Sequence, residues 1–220
     1  MEDLLFAFAI AAYVVAGFAW PVLRLWRRHR IWPIVFNREA VPAQRVLGLL
    51  SAALLVGALA LGALYAALGS DALGVRRLPL AGRVAGWLLL VGGSVLTLAA
   101  QRQMGVSWRI GIDDRPTDLV TTGVFRHVRN PIFTGLLALM AGIVLLSPAW
   151  WSGVMALLTA LAVRLQVAFE EQHLSALHGD AYLAYAARAG RFIPFAGRLP
   201  RPPARRSDNA SAALTGEVKS

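Results

Sequence analysis

A long uncharged stretch is the feature that most constrains what this chain can fold into. No charged residue occurs from Pro131 to Val163, and Arg129 and Arg164 stand at its two borders. As a single helix it would extend about 50 Å, whereas the hydrocarbon core of a bilayer is about 30 Å thick. Proline breaks a helix, and Ser147-Pro148 lies near the middle of the stretch. The sequence therefore predicts a hairpin of two membrane helices, over residues 131–146 and 149–172.

Three further uncharged segments, residues 4–23, 47–68 and 84–100, suit membrane helices, which need about 20 apolar residues. Only 15% of the residues are charged, below the roughly 25% of soluble proteins. We predict an all-α polytopic membrane protein with about five transmembrane helices, a C-terminal helical hairpin and an interfacial helix. Three regions follow: residues 1–83 with two helices, 84–196 as the core with a cofactor pocket, and 197–220 as a disordered tail.

The distribution of basic residues predicts the orientation. Nineteen of the 22 lysines and arginines lie in residues 24–45, 101–130 and 164–220, which five spans place on one side of the membrane. Cytoplasmic loops are enriched in these residues, so we expect the N-terminus outside and the C-terminus in the cytoplasm. Arg76, Arg77 and Arg83 are the exceptions. The arginine-rich, lysine-poor composition suggests the inner or plasma membrane of a bacterium.

Composition and motifs also argue against several classes of function. The net charge of +10 could indicate nucleic-acid binding, but the arginines lie in loops between apolar runs, so we expect no nucleic-acid partner. The chain has no cysteine, and its histidines form no metal-ligand spacing with carboxylates, so no metal site is predicted. It also contains no P-loop, dinucleotide-binding glycine motif or nucleophile elbow.

Polar residues gather at the inner end of the predicted hairpin. Asn130-Pro131 is typical of a helix N-terminus, which can also bind an anion such as a carboxylate. At the other end of the hairpin, Gln166 and Glu170 are four residues apart and share a helix face, as do Arg164 and Glu171, seven apart. The simpler interpretation is a helix start facing an ordinary interfacial charge cluster. Together the two groups favour one interfacial site.

These residues, in this order, resemble the isoprenylcysteine carboxyl methyltransferase family of integral membrane methyltransferases. The resemblance covers about residues 84–195 and rests on five motifs in a fixed order: Leu119 to Phe125, Arg129 to Gly135, Glu170 to Leu174, Gly179 to Tyr182, and Ile193 to Phe195. It implies a membrane enzyme that uses S-adenosylmethionine in a cytoplasmic pocket, with a lipophilic small-molecule or lipidated substrate and membrane lipids as partners. The acceptor could be a carboxylate, a hydroxyl or an amine.

The resemblance and the residues themselves together suggest residue roles. The predicted catalytic residues are Arg164, Gln166 and Glu171: the first two would orient the acceptor, and Glu171 would help Glu170 to place the cofactor. Predicted cofactor-binding residues are Thr117, Asp118, Leu119, Val120, Phe125, Arg129, Asn130, Pro131, Ile132, Phe133 and Glu170.

The chain departs from the family pattern at several of these positions. Asn130 stands where the family has His, and Phe125 and Phe133 stand at usual Tyr positions. Gln166 falls where eukaryotic members carry an Arg for the substrate carboxylate, and Arg164 could replace it. Two alternatives stay open: an NADPH-dependent membrane lipid reductase, and a non-catalytic transport protein or subunit.

Overall fold

The computed structural model describes residues 1–30, 32–33, 42–108 and 118–200. Its first helix, α1 (Glu2–Val14), continues through a π-helical turn (Val15–Ala19) into α2 (Trp20–His29). The other helices are α3 (Pro42–Ala72), α4 (Leu80–Met104), α5 (Pro131–Leu146), α6 (Trp150–His178) and α7 (Asp180–Ala186). Short 3-10 turns lie at Gly105–Ser107 and Gly123–Arg126, and an isolated bridge joins Val128 to Gly190.

The predicted all-α membrane fold is confirmed. Within the described ranges, four helical segments are long and apolar enough to cross a membrane: residues 2–29, 44–72, 80–107 and 150–178. The predicted hairpin is also present, since α5 ends at Leu146 and α6 begins at Trp150, on either side of Ser147-Pro148. However, α5 has 16 residues and spans about 24 Å, less than the hydrocarbon core. The expected fifth span is therefore a shorter helix.

Glycines bring α4 and α5 into backbone contact. A Cβ atom added to Gly93 would lie 2.6 Å from the Leu139 nitrogen, and one added to Gly142 would lie 2.6 Å from the Leu90 nitrogen and 2.7 Å from the Gly86 carbonyl oxygen. Only glycine permits this approach, because any side chain would overlap the neighbouring backbone. The short α5 is thus held along its length against a helix that crosses the membrane.

The N-terminal helix is irregular where it meets α4. Pro21 has no N–H group, so the Gly17 carbonyl lacks the donor that an α-helix would supply four residues later. The helix forms a π-turn at Val15–Ala19, and Gln101 Nε2 donates to the Gly17 carbonyl oxygen at 2.8 Å. A side chain 84 positions away therefore satisfies the carbonyl and fixes the N-terminal helix against α4.

One end of the bundle, which we call the N-terminal end, holds Glu2, Asp3, residues 65–83 and residues 147–151. There Arg83 Nε donates to Glu2 Oε1 at 2.9 Å, and Arg77 lies 3.7 Å from Asp3. Two of the three arginines that departed from the expected charge distribution are thus paired with the acidic N-terminus, which reduces their net positive charge. The orientation of the bundle in the membrane stays a prediction.

Candidate functional site

A cavity of about 300 Å³ occupies the half of the bundle away from the N-terminal end. Its deeper walls are apolar, with Ile10 from α1, Leu54 from α3, Leu90 from α4 and Ile143 from α5. Its mouth is more polar and lies where α5 begins and where α6 ends. Because α1 and α3 contribute to the wall, the first 83 residues help to form the site.

Most of the predicted site residues meet at this cavity. Those that line it are Asp118, Leu119, Val120, Phe125, Arg129, Asn130, Pro131, Ile132, Phe133, Gln166 and Glu170. They come from three separate stretches of sequence, so the helical hairpin brings them together. Arg164 is exposed on α6, and neither it nor Glu171 is among the lining residues. Thr117 lies outside the described residues.

Arg129 is buried, and its guanidinium group binds other parts of the protein. Its side chain is 2% exposed and lies 3.2 Å from Glu171 Oε1. It also donates to the carbonyl oxygens of Ala186 at 3.0 Å, Ala189 at 2.8 Å and Gly197 at 3.1 Å. A buried arginine needs such partners because an unpaired charge in the interior is very costly. Arg129 thus fastens the C-terminal segment to the start of α5.

Glu171 is the centre of this network. Besides Arg129, it accepts a hydrogen bond from Asn130 Nδ2 at 3.0 Å and lies 3.0 Å from Arg191 Nε. Asn130 Nδ2 also donates to the Arg191 carbonyl oxygen at 3.2 Å. Asn130 occupies the N-cap position of α5, as expected, but its side chain makes no capping hydrogen bond. We call Arg129, Asn130, Glu171 and Arg191 the latch.

Glu170 differs from its neighbour Glu171. Successive residues on a helix point about 100° apart, so the two side chains face different surroundings. Glu170 lines the cavity, as does Gln166 one turn earlier, which agrees with the helix face that the two were expected to share. Within the part of the chain that the structure describes, Glu170 makes no hydrogen bond or ion pair. Its carboxyl group is therefore available to a ligand.

The short helix α7 supports the mouth of the cavity. Tyr182 and Tyr185 are buried and line it, and the Tyr185 hydroxyl donates to the Phe125 carbonyl oxygen at 2.8 Å. This bond holds the turn that presents Phe125. Burial raises the pKa of Tyr182 to about 12, and the nearby Glu171 adds to the increase. Tyr182 ends one of the motifs of the family resemblance, whereas Tyr185 was not among the predicted site residues.

Several lining residues were missed by the sequence analysis: Tyr13, Thr97, Gln101, Trp108, Thr159 and His173. One signal was present, because a polar residue inside an apolar run is costly in lipid and usually faces the interior of the bundle. Thr159 is such a residue, within the uncharged stretch. Within the described residues, no group of histidine, aspartate or glutamate side chains is arranged to hold a metal ion.

Comparison with known proteins finds a family to which this region is similar. Residues 81–181 match the family model of the phospholipid methyltransferases, a region that closely follows the resemblance found in the sequence. No curated protein and no solved structure matches the chain. The match confirms the predicted similarity to integral membrane methyltransferases. Residues 81–181 are therefore similar to the phospholipid methyltransferase family.

Proposed function

We propose that this protein transfers a methyl group from S-adenosylmethionine to a lipophilic acceptor at the cytoplasmic face of the membrane. The observation that carries the proposal is that one cavity combines a polar mouth with an apolar interior. A lipid-modifying methyltransferase requires both, since its methyl donor is water-soluble and its acceptor is lipid-soluble. The family match supports methyl transfer to lipid-like substrates.

The mouth of the cavity fits the charged groups of this cofactor. The Glu170 and Asp118 carboxyl groups suit its amino group and its sulfonium centre, which are both cationic. The first backbone hydrogen bond of α5 runs from the Thr134 N–H to the Asn130 carbonyl oxygen. The N–H groups of Ile132 and Phe133 come before it in the first turn of the helix, so they suit a carboxylate. Leu119, Val120 and Phe125 offer an apolar surface for an adenine ring. When bound, S-adenosylmethionine would supply an electrophilic methyl group, which passes to the acceptor in one in-line displacement; S-adenosylhomocysteine leaves, and an amine or hydroxyl acceptor also loses a proton.

The residues of the chain would act mainly by positioning. Gln166 is one turn from Glu170 on α6 and lines the same cavity, so it would orient the acceptor beside the methyl donor. The apolar walls exclude water, which favours a reaction in which the sulfonium charge disappears. Arg164 lies away from the cavity, so we do not assign it a contact with the acceptor. Glu171 would contribute through the latch, by fixing Asn130 and the start of α5.

The proposal includes a location and an orientation. We place the N-terminus outside and the C-terminus in the cytoplasm, in the plasma membrane of a bacterium. The mouth of the cavity then opens towards the compartment that holds S-adenosylmethionine. A lipophilic acceptor, free or as a lipidated substrate, would enter from the membrane between the helices.

Cofactor binding tests the proposal directly. S-adenosylhomocysteine should raise the melting temperature of the purified protein in detergent, because a ligand at 100 times its Kd stabilises the folded state by about 2.7 kcal/mol. Tritiated S-adenosylmethionine incubated with the protein and a lipid extract should label an organic-soluble product. A rise in melting temperature with NADPH and none with S-adenosylhomocysteine would instead indicate a reductase. No rise in melting temperature with either compound would indicate a non-catalytic protein.

Glu170→Gln provides a sharper test of the site. Replacing this carboxyl group should weaken binding of S-adenosylhomocysteine by about 10- to 100-fold, since hydrogen bonds to charged groups contribute about 1.5–3 kcal/mol. Glu2→Gln is the matched control, because it makes the same change at the N-terminal end and should leave the affinity unaltered. Equal affinity in the wild type and in Glu170→Gln would remove Glu170 from the site.

A further inference from the structure

Gln101 has an amide group whose orientation is fixed by the N-terminal helix. Its Nε2 atom donates to the Gly17 carbonyl oxygen at 2.8 Å, and a carbonyl oxygen can only accept. The NH2 group must therefore face Gly17, and Oε1 must point the other way. Pro21 is the reason that the Gly17 carbonyl is available, because a proline cannot supply the missing helical N–H.

The Oε1 atom of Gln101 is a buried acceptor without a donor. Gln101 is 8% exposed and lines the cavity, and Oε1 has no hydrogen-bond partner among the described residues. A buried polar atom without a hydrogen-bond partner is unfavourable, so such an atom in a native protein usually forms a hydrogen bond with a water or a ligand. Gln101 is not among the residues that the family resemblance connects with the cofactor.

A second unpaired group lies on another wall of the same cavity. Thr159 on α6 is 4% exposed, and its hydroxyl oxygen has no partner in the described part of the chain. It stands 11 residues before Glu170, about 16 Å deeper along the helix. By contrast, the donors of Arg129 and Asn130 are engaged within the latch. The Tyr182 hydroxyl also lines the cavity without a partner, and a hydroxyl can donate or accept, so of these three unpaired groups only Gln101 Oε1 is restricted to accepting.

We propose that Gln101 determines the specificity for the methyl acceptor by accepting a hydrogen bond from an N–H or O–H group of the lipid headgroup. The inference rests on the proposed function and narrows it: the acceptor carries an amine or a hydroxyl and not a carboxylate. A carboxylate has no hydrogen to donate and would place its oxygens against the Gln101 lone pairs. The N-terminal helix, which lies outside the family match, thereby contributes to substrate choice.

Lipid competition in native mass spectrometry tests this proposal without requiring turnover. The protein is offered equal amounts of dioleoyl phosphatidylethanolamine, phosphatidylglycerol and phosphatidylcholine, which present an amine, hydroxyls and neither donor, respectively. The wild type should prefer a donor-bearing lipid to phosphatidylcholine by about fivefold or more, which is the effect of one hydrogen bond of about 1 kcal/mol. Gln101→Met should lose that preference. Gln172→Met, an exposed residue two positions beyond Glu170, is the matched control and should behave as wild type.

Pro21→Ala provides a second variant that leaves Gln101 in place. Alanine supplies the N–H group that Gly17 lacks, so Gln101 is released from its fixed orientation. The preference for donor-bearing lipids should fall while the melting temperature is maintained. An unchanged preference in both Gln101→Met and Pro21→Ala, or no preference in the wild type, would overturn the proposal.

Affinity for S-adenosylhomocysteine separates the two possible sources of the donor. This affinity should be the same in the wild type and in Gln101→Met, within about twofold, because the hydrogen bond that Gln101→Met removes is made with the lipid that accepts the methyl group. A loss of about tenfold, the equivalent of one hydrogen bond, would place the donor on the cofactor and overturn the assignment to the acceptor. If the wild type binds no S-adenosylhomocysteine but Gln101 still controls lipid preference, the proposed function fails, and Gln101 is then a lipid-headgroup contact and not a determinant of the methyl acceptor.

Discussion

The two ends of the helix bundle carry similar charged residues in different surroundings. At the N-terminal end, the side chains of Arg83 and Glu2 are 36% and 29% exposed. In the latch at the opposite end, those of Arg129 and Glu171 are 2% and 16% exposed. In the sequence, each group is a few charges at the border of an apolar run. The comparison teaches that burial and the space beside an ion pair, more than its residue types, distinguish a binding site from a simple anchor.

The space differs because the helices meet differently at the two ends. At the N-terminal end, the Tyr65 hydroxyl donates to the Ser147 hydroxyl, and the Arg76 nitrogen donates to the Pro148 carbonyl oxygen at 3.3 Å. These bonds join α3 to the hairpin turn, and the pocket left there measures only about 20 Å³. At the latch end, a cavity of about 300 Å³ separates the helices. The latch is therefore positioned to shape a site, whereas the N-terminal pairs hold helices together.

Removing the latch arginine should have the largest effect. Arg129→Met leaves Glu171 without its buried partner, and breaking a buried ion pair from one side costs about 3–5 kcal/mol. The melting temperature in detergent should fall steeply, and binding of S-adenosylhomocysteine should weaken because the start of α5 is no longer fixed. Arg188→Met, an exposed arginine on the same C-terminal segment, is the control and should change neither. A stable Arg129→Met variant with normal affinity would contradict the role assigned to the latch.

Asn130 should have an intermediate effect. Asn130→Ala removes the hydrogen bonds that Nδ2 donates to Glu171 and to the Arg191 carbonyl oxygen, and each such bond contributes about 0.5–1.5 kcal/mol. Both acceptors keep another donor, Arg129 for Glu171 and the Asn130 backbone N–H for the Arg191 carbonyl. The isoprenylcysteine carboxyl methyltransferase family, which the sequence resembles, has His at this position. An imidazole N–H can restore one of the two hydrogen bonds. The melting temperature should therefore be highest for the wild type, lower for Asn130→His and lowest for Asn130→Ala. If the two variants are equally destabilised, the hydrogen bonds that the Asn130 side chain donates do not stabilise the latch.

Local rules in the sequence were enough to predict the framework. The helix break at Ser147-Pro148 follows from the chemistry of proline, and the spans follow from the cost of charge in lipid. Helical periodicity placed Gln166 and Glu170 on one face, and both line the cavity. Each of these features depends on residues that are near one another in the chain.

Features that depend on distant partners were not predictable in the same way. Arg129 was predicted to bind the cofactor and lines the cavity, but the sequence did not show that its guanidinium group contacts Glu171 and carbonyls 57, 60 and 68 positions further along the chain. The different surroundings of Glu170 and Glu171 depend on how α6 is rotated against its neighbours, which the sequence of α6 does not specify. The contact of Gln101 with Gly17 likewise requires two helices to meet at one level.

The smallest effect should come from the N-terminal end. Arg83→Met removes the pair with Glu2, and partly exposed ion pairs contribute about 0–1 kcal/mol because water already solvates both charges. We therefore expect a small decrease in melting temperature and no change in the affinity for S-adenosylhomocysteine. Raising the salt concentration should reduce the difference between wild type and variant, since exposed charges are screened within about 10 Å at 0.1 M salt. A loss of affinity as large as that of Arg129→Met would mean that the two ends are coupled through the helices, and that the N-terminal pairs also help to shape the cavity.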